Sequence, residues 1–223
     1  LKIHDLWVDI GARTRKDAEK VVSVGDVATI NSGWIDLRNN MVACRGMDDR
    51  IGAFIIADVL RLLKGRRLNV AVHAVSTVQE EVGLRGATLA AFGVEPHVGL
   101  AVDVGFASDY PGMDPKITGE AKMGSGPILH CGPTYNKKVL GLLKKSAKEA
   151  RVKTQFQPEA RGEGTDAFAI YMSRSGVPAG LISIPCRYIH SAVETVSLRD
   201  VENAGQLIAE FVLSLKGNET WRG

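Results

Sequence analysis

Two glutamates, Glu80 and Glu81, stand side by side in the stretch STVQEEVGLRG, residues 76–86. An apolar run, NVAVHAVSTV, leads straight into them. Carboxylates held together in a low-dielectric cleft repel, and the pKa of one rises. Such a pair is either solvated or faces something positive. Three further places carry groups of the same kind: Asp48 and Asp49 in GMDDRIG, Asp103 in AVDVG, and His190 in IPCRYIHSAVE. Mixed Asp, Glu and His donors without a thiolate suit zinc, cobalt or manganese in a hydrolytic site. Two such ions bridged by one carboxylate can clamp a water and polarise a carbonyl. In that chemistry one glutamate of the pair binds metal and the other stays free as a general base. Asp48 and Asp49 have a plainer reading as an N-cap pair ahead of an apolar helix.

The elements that must position these groups alternate. Apolar residues on a 3.6-residue period predict helices over 49–64, 134–150, 165–176 and 198–216, with a shorter one at 86–93. Between them, β-prone runs predict strands at 68–78, 97–105, 153–157 and 179–185. This alternation with short connections predicts an α/β fold with a mostly parallel sheet. Ligands in such sheets collect beyond the carboxyl ends of the strands. Glu80, Glu81 and His190 fall just past strands, and Asp103 falls near the end of one. Residues 1–45 differ, with short β-prone runs at 6–12, 24–30 and 41–45 around one short helix at 13–22. They read as part of a small β-rich domain, followed by a main domain over 46–223. His73, in mid-strand, reads as a core histidine, and His97 as a surface one.

With 223 residues, 45% of them apolar and 24% charged, the chain can bury a sizeable core as a globular protein. A net charge of +3 gives no reason to expect nucleic acid or a membrane as partner. Three cysteines, Cys44, Cys131 and Cys186, have no paired spacing. They argue against a disulfide framework and for a reducing, cytoplasmic compartment. No apolar run approaches the ~20 residues of a membrane span, and no signal peptide is seen.

The blocks GMDDRIGAF, QEEVGLRGA, AVDVG, GTDAFAI and IPCRYIHSAVE, in this order, resemble the M42 family of metallo-aminopeptidases, some members of which are labelled endoglucanases. The resemblance runs through nearly all of the chain. It implies a three-layer fold of the zinc-exopeptidase kind, two divalent ions (zinc or cobalt), peptide substrates and a homo-oligomer. By the same resemblance Asp48 bridges the metals, with a cis bond to Asp49. Glu81 and His190 complete one site, Asp103 belongs to the other, and Glu80 is the general base. Arg187, Thr165 and Asp166 lie in blocks near the family's active site.

One block of the family is not found. It is an HxD motif ahead of the β domain, whose histidine completes the Asp103 metal. His4 is followed directly by Asp5, within the part that resembles the β domain. The expectation is therefore a chain lacking the family's N-terminal segment, with a weak or empty Asp103 site. Two other functions are weighed beside the aminopeptidase. A glycoside hydrolase needs acids about 5–10 Å apart across a sugar bond, which adjacent Glu80 and Glu81 do not naturally provide. A truncated or inactive subunit would bind a partner or complete an assembly.

Overall fold

The computed structural model describes residues 3–162 and 164–221. The chain divides into two compact units after Asn31, whereas the composition places a change at residue 45. In the first unit, a 3-10 turn at Ile3–Asp5 precedes a short helix, α1, at Arg15–Ala18. Thr14 caps α1 by accepting the Asp17 N–H, and Arg15–Glu19 and Lys20–Asp17 pairs line it. The β-prone runs at 6–12 and 24–30 form no strands. Propensity alone does not make a strand. Trp7, Val8, Val24 and Val27 are exposed, so neither run has the covered face that a strand requires.

The second unit contains β1 (Ile35–Leu37), β2 (Met41–Ala43), α2 (Met47–Leu63), α3 (Arg85–Val94), β3 (Gly99–Phe106), α4 (Pro115–Thr118), β4 (Ile128–Cys131), α5 (Lys137–Glu149), β5 (Gln155–Pro158), α6 (Asp166–Tyr171), β6 (Ala179–Arg187), β7 (Thr195–Ser197) and α7 (Leu198–Ser214). The run at 41–45 supplies β2, which pairs with β7 and so belongs to the main sheet.

The sheet runs β1-β2-β7-β6-β4-β5, with β3 also on β6. β3 with β6 and β4 with β5 are parallel, and the other pairings are antiparallel. The sheet is therefore mixed, with its longest pairing, β3 on β6, parallel. The reason lies partly in the connection at 188–194. It returns β6 directly into β7, and so short a reversal makes an antiparallel pair.

Three layers result. Helices α2, α5 and α7 pack together over one face of the sheet, against Val104, Ile182 and Ile184. On the other face α6 packs over Ala101 and Leu181, and α3 packs against α6. Successive strand residues face opposite sides, so Asp103, between Val102 and Val104, lies on the α6 side. Every cysteine is free. No helix among the described residues is long and apolar enough to cross a membrane.

The predicted strand at 68–78 is the main departure in this unit. It joins no ladder. Leu68, Val70 and Val72 pack against the core, while Val75 and Val78 are exposed. The alternation that suggested a strand is real, but a strand also needs a backbone partner. Among the described residues β3, the edge strand of this sheet, bonds only to β6. His73 in this segment is exposed, which corrects its reading as a core histidine.

Candidate metal centre

Neighbouring residues on a strand point to opposite faces, so Glu80 and Glu81 need a turn to serve one cleft. Gln79 supplies it with φ of 60°, and the Glu80 carbonyl then accepts the N–H groups of Gly83 and Leu84, both at 3.0 Å. Gly86 holds this turn against the segment that enters it, its N–H donating to the Val78 carbonyl at 2.9 Å. A Cβ at position 86 would stand 2.4 Å from Val78 N and 2.5 Å from Val78 O. Gly86→Ala is therefore expected to push away the backbone that leads to the glutamates. Overpacking of this kind costs ~1–3 kcal/mol, so thermal unfolding should show a lower Tm. A competition titration should show weaker metal binding. An unchanged Tm and an unchanged affinity would contradict this role.

The Asp48–Asp49 bond is cis, and the two residues separate in function. Asp49 turns inward and caps α2, its Oδ1 accepting the Gly52 N–H at 2.9 Å. This is the capping reading, and it holds for Asp49. Asp48 instead faces the turn. His190 enters from the β6–β7 connection with φ of 61°, a left-handed conformation that histidine tolerates better than most residues. His190 Nε2 lies 3.2 Å from Asp48 Oδ2 and 3.4 Å from Glu81 Oε2.

One donor atom from each of Asp48, Glu81 and His190 lies within 4.8 Å of the others. Tetrahedral ligands about 2.1 Å from a zinc ion stand roughly 3.4 Å apart, so these donors fit a divalent cation with little rearrangement. Asp103 falls outside this group of three among the described residues.

The electrostatics ask for positive charge. Burial, then Glu81 and Glu194, push the Asp48 carboxyl up to about 6. Burial, then Glu81, Asp166 and Asp48, push Glu80 up to about 7. Burial and Asp48 push Asp103 up to about 8, and burial and Asp103 push Asp49 up to about 9. Asp103 is thus in electrostatic reach of the others, although its Oδ1 is taken by the Val104 N–H at 2.7 Å.

A raised folded-state pKa gives stability that is present below the unfolded value, near 3.9, and lost as pH climbs through the folded one. For Asp103 the loss runs up to about pH 8. Asn at this position carries no such loss. With metal chelated, the Tm advantage of Asp103→Asn over the unsubstituted chain should widen from about pH 6 to about pH 9. A gap independent of pH would contradict the proposed burial of this charge.

Other residues of the blocks support the centre from outside. Arg187 pairs in two-pronged fashion with Asp109, at 2.9 and 2.8 Å, anchoring the start of the connection that carries His190. Asp166 Oδ2 accepts from Thr77 Oγ1 at 2.6 Å, tying the segment ahead of the glutamates to α6. Its Oδ1 and Thr165 Oγ1 are buried without a hydrogen-bond partner among the described residues. His130 is buried between Glu159, at 2.6 Å, and Ser183, at 2.9 Å. His97 is exposed, as read from the sequence. Glu194, which the sequence reading passed over, is buried against the backbone of both Asp48 and His190. Its signal was its place four residues after His190, but nothing in the local sequence marks it as buried.

The family described as M42 glutamyl aminopeptidase matches residues 1–207. A lysyl aminopeptidase from Pyrococcus furiosus is 36% identical over 210 residues, covering 94% of this chain and 59% of the relative. A TET aminopeptidase from a marine-sediment archaeon of the Thaumarchaeota superposes with a TM-score of 0.86 at 39% identity, covering 93% of this chain and 59% of that one. The TET1 peptidase of Pyrococcus horikoshii, which can assemble into a tetrahedron or a large octahedral shell, superposes with a TM-score of 0.79 at 28% identity. That match covers 93% of this chain and 60% of the peptidase. The chain thus spans about three fifths of the length of these relatives.

Proposed function

Because the chain belongs to the M42 glutamyl aminopeptidase family, we propose that it serves metal-dependent removal of amino-terminal residues from peptides. The observation that carries this reading is the meeting of Asp48, Glu81 and His190 donor atoms within 4.8 Å, beside a glutamate whose carboxyl is pushed up to about 7. Asp48, Glu81 and His190 would hold a zinc or cobalt ion. When bound, such an ion supplies Lewis acidity for a water nucleophile and a scissile carbonyl.

The work of the chain's own residues follows from their environment. Burial and the neighbouring carboxylates push the Glu80 carboxyl up from its usual value, and as a general base it would take a proton from the attacking water and return one to the leaving amine. Arg187 and Asp109 hold the His190 connection in place. Asp49, capping α2, fixes the backbone from which Asp48 projects. A second ion would have Asp48 and Asp103 as ligands among the described residues. The assemblies of the TET1 peptidase support a homo-oligomer.

A non-catalytic subunit is the second reading, favoured by the place of Asp103 outside the three-residue group. Hydrolysis of aminoacyl-p-nitroanilides separates the two readings. Turnover of substrates with a free amino group, absent for their N-acetyl forms and abolished by a chelator, is the expected result. No turnover after zinc or cobalt loading, with metal bound, would favour the non-catalytic subunit.

A further inference from the structure

Glu194 stands just ahead of β7 and is 3% exposed. Each of its carboxylate oxygens accepts one backbone N–H. Oε2 takes that of Asp48 at 3.1 Å, and Oε1 takes that of His190 at 2.9 Å. These two residues lie 146 and 4 positions away in sequence, and both carry side chains of the metal group. The Glu194 carbonyl also accepts the Cys44 N–H at 3.0 Å, which fixes Glu194 to the end of β2. One buried carboxylate therefore sets the separation between two ligands from distant elements.

We propose that Glu194 is a positioning residue for the metal centre, holding the Asp48 and His190 backbones at ligating distance; this rests on the reading of Asp48, Glu81 and His190 as a metal site. The charge of Glu194 argues the same way. A buried carboxylate costs free energy unless it is paired, and among the described residues Glu194 has N–H partners but no cationic side chain. It sits within electrostatic reach of Asp48, another carboxylate. A divalent cation at the ligand triad offsets both charges. The left-handed backbone of His190 also needs restraint, and the bond from its N–H to Glu194 supplies it.

A simple structural brace would look alike in the fold but not in its consequences. Glu194→Gln keeps the shape and offers only one acceptor oxygen. One of the two N–H groups then faces an NH2 group. Outer partners of metal ligands typically govern affinity by ~10–100-fold. Zinc affinity of the folded chain, measured by chelator competition well below the Tm, should fall by about that factor in Glu194→Gln. Glu194→Asp keeps two oxygens on a shorter arm. Its affinity should fall between those of Gln and Glu, and it tests the idea even if the Gln variant does not fold.

A lower Tm of the metal-free variants with zinc affinity unchanged would overturn the positioning role and leave Glu194 as a brace. Zinc bound by the unsubstituted chain and equally by both variants would overturn this inference alone. No zinc bound by the unsubstituted chain would overturn the metal-site reading and this inference together.

Discussion

Glu80→Gln is expected to lower peptide turnover by about 100- to 10,000-fold, the usual span of general acid–base catalysis, while metal affinity stays within a few-fold. The two effects separate because Glu80 is outside the group of donor atoms that meet at Asp48, Glu81 and His190. Gln matches Glu in shape and cannot exchange a proton near neutrality, so the substitution removes one property. It also removes a charge that Glu81, Asp166 and Asp48 oppose. The metal-free variant should therefore be no less stable than the unsubstituted chain. Steady-state kinetics on the metal-loaded protein, with metal content measured in parallel, checks this. Turnover within about tenfold of the unsubstituted chain would move the general base elsewhere.

Glu81→Ala is expected to act in the opposite way, on metal before chemistry. Three donors become two, Asp48 and His190, and two do not make a closed catalytic zinc set. Loss of a direct ligand should exceed the ~10–100-fold typical of outer partners. The metal-free chain gains from the same change, because Glu81 is among the groups that push the Asp48 carboxyl up. Calorimetry should show no fall in the metal-free Tm, together with loss of the Tm rise on adding zinc. The pairing of these two results distinguishes a ligand from a residue that merely supports the fold.

Much of this arrangement was legible because it is local. The 3.6-residue period placed α2, α5 and α7 to within a few residues, since amphipathic helices carry their own packing face in sequence. Strands β3 and β6 were legible as apolar runs. Strand pairing is not local. The segment at 68–78 has the right pattern and no ladder, and β2 belongs to the main sheet through its bonds to β7. The order and direction of strands depend on partners far along the chain, so the mixed sheet could not be read from any one run.

The site shows the same division. The spacing of Glu80, Glu81 and Asp48 relative to their elements was visible, and the structure brings Asp48, Glu81 and His190 together. That Asp49 caps α2 while Asp48 faces the cleft depends on backbone geometry at a single dipeptide. Glu194 was invisible because its role consists of two backbone bonds to residues at the start of α2 and in the β6–β7 connection. His73 is exposed despite its apolar neighbours, because an apolar surrounding in sequence does not guarantee a covered face in space.

The metal centre is tested most directly by metal content per chain, by elemental analysis after zinc or cobalt loading and exhaustive dialysis, for the unsubstituted chain beside Glu81→Ala. About one tightly held equivalent, at the three-ligand site, is expected in the unsubstituted chain, and its loss in the variant. No retained metal under either loading, or equal metal in both proteins, would contradict the assignment of Asp48, Glu81 and His190 as a metal centre.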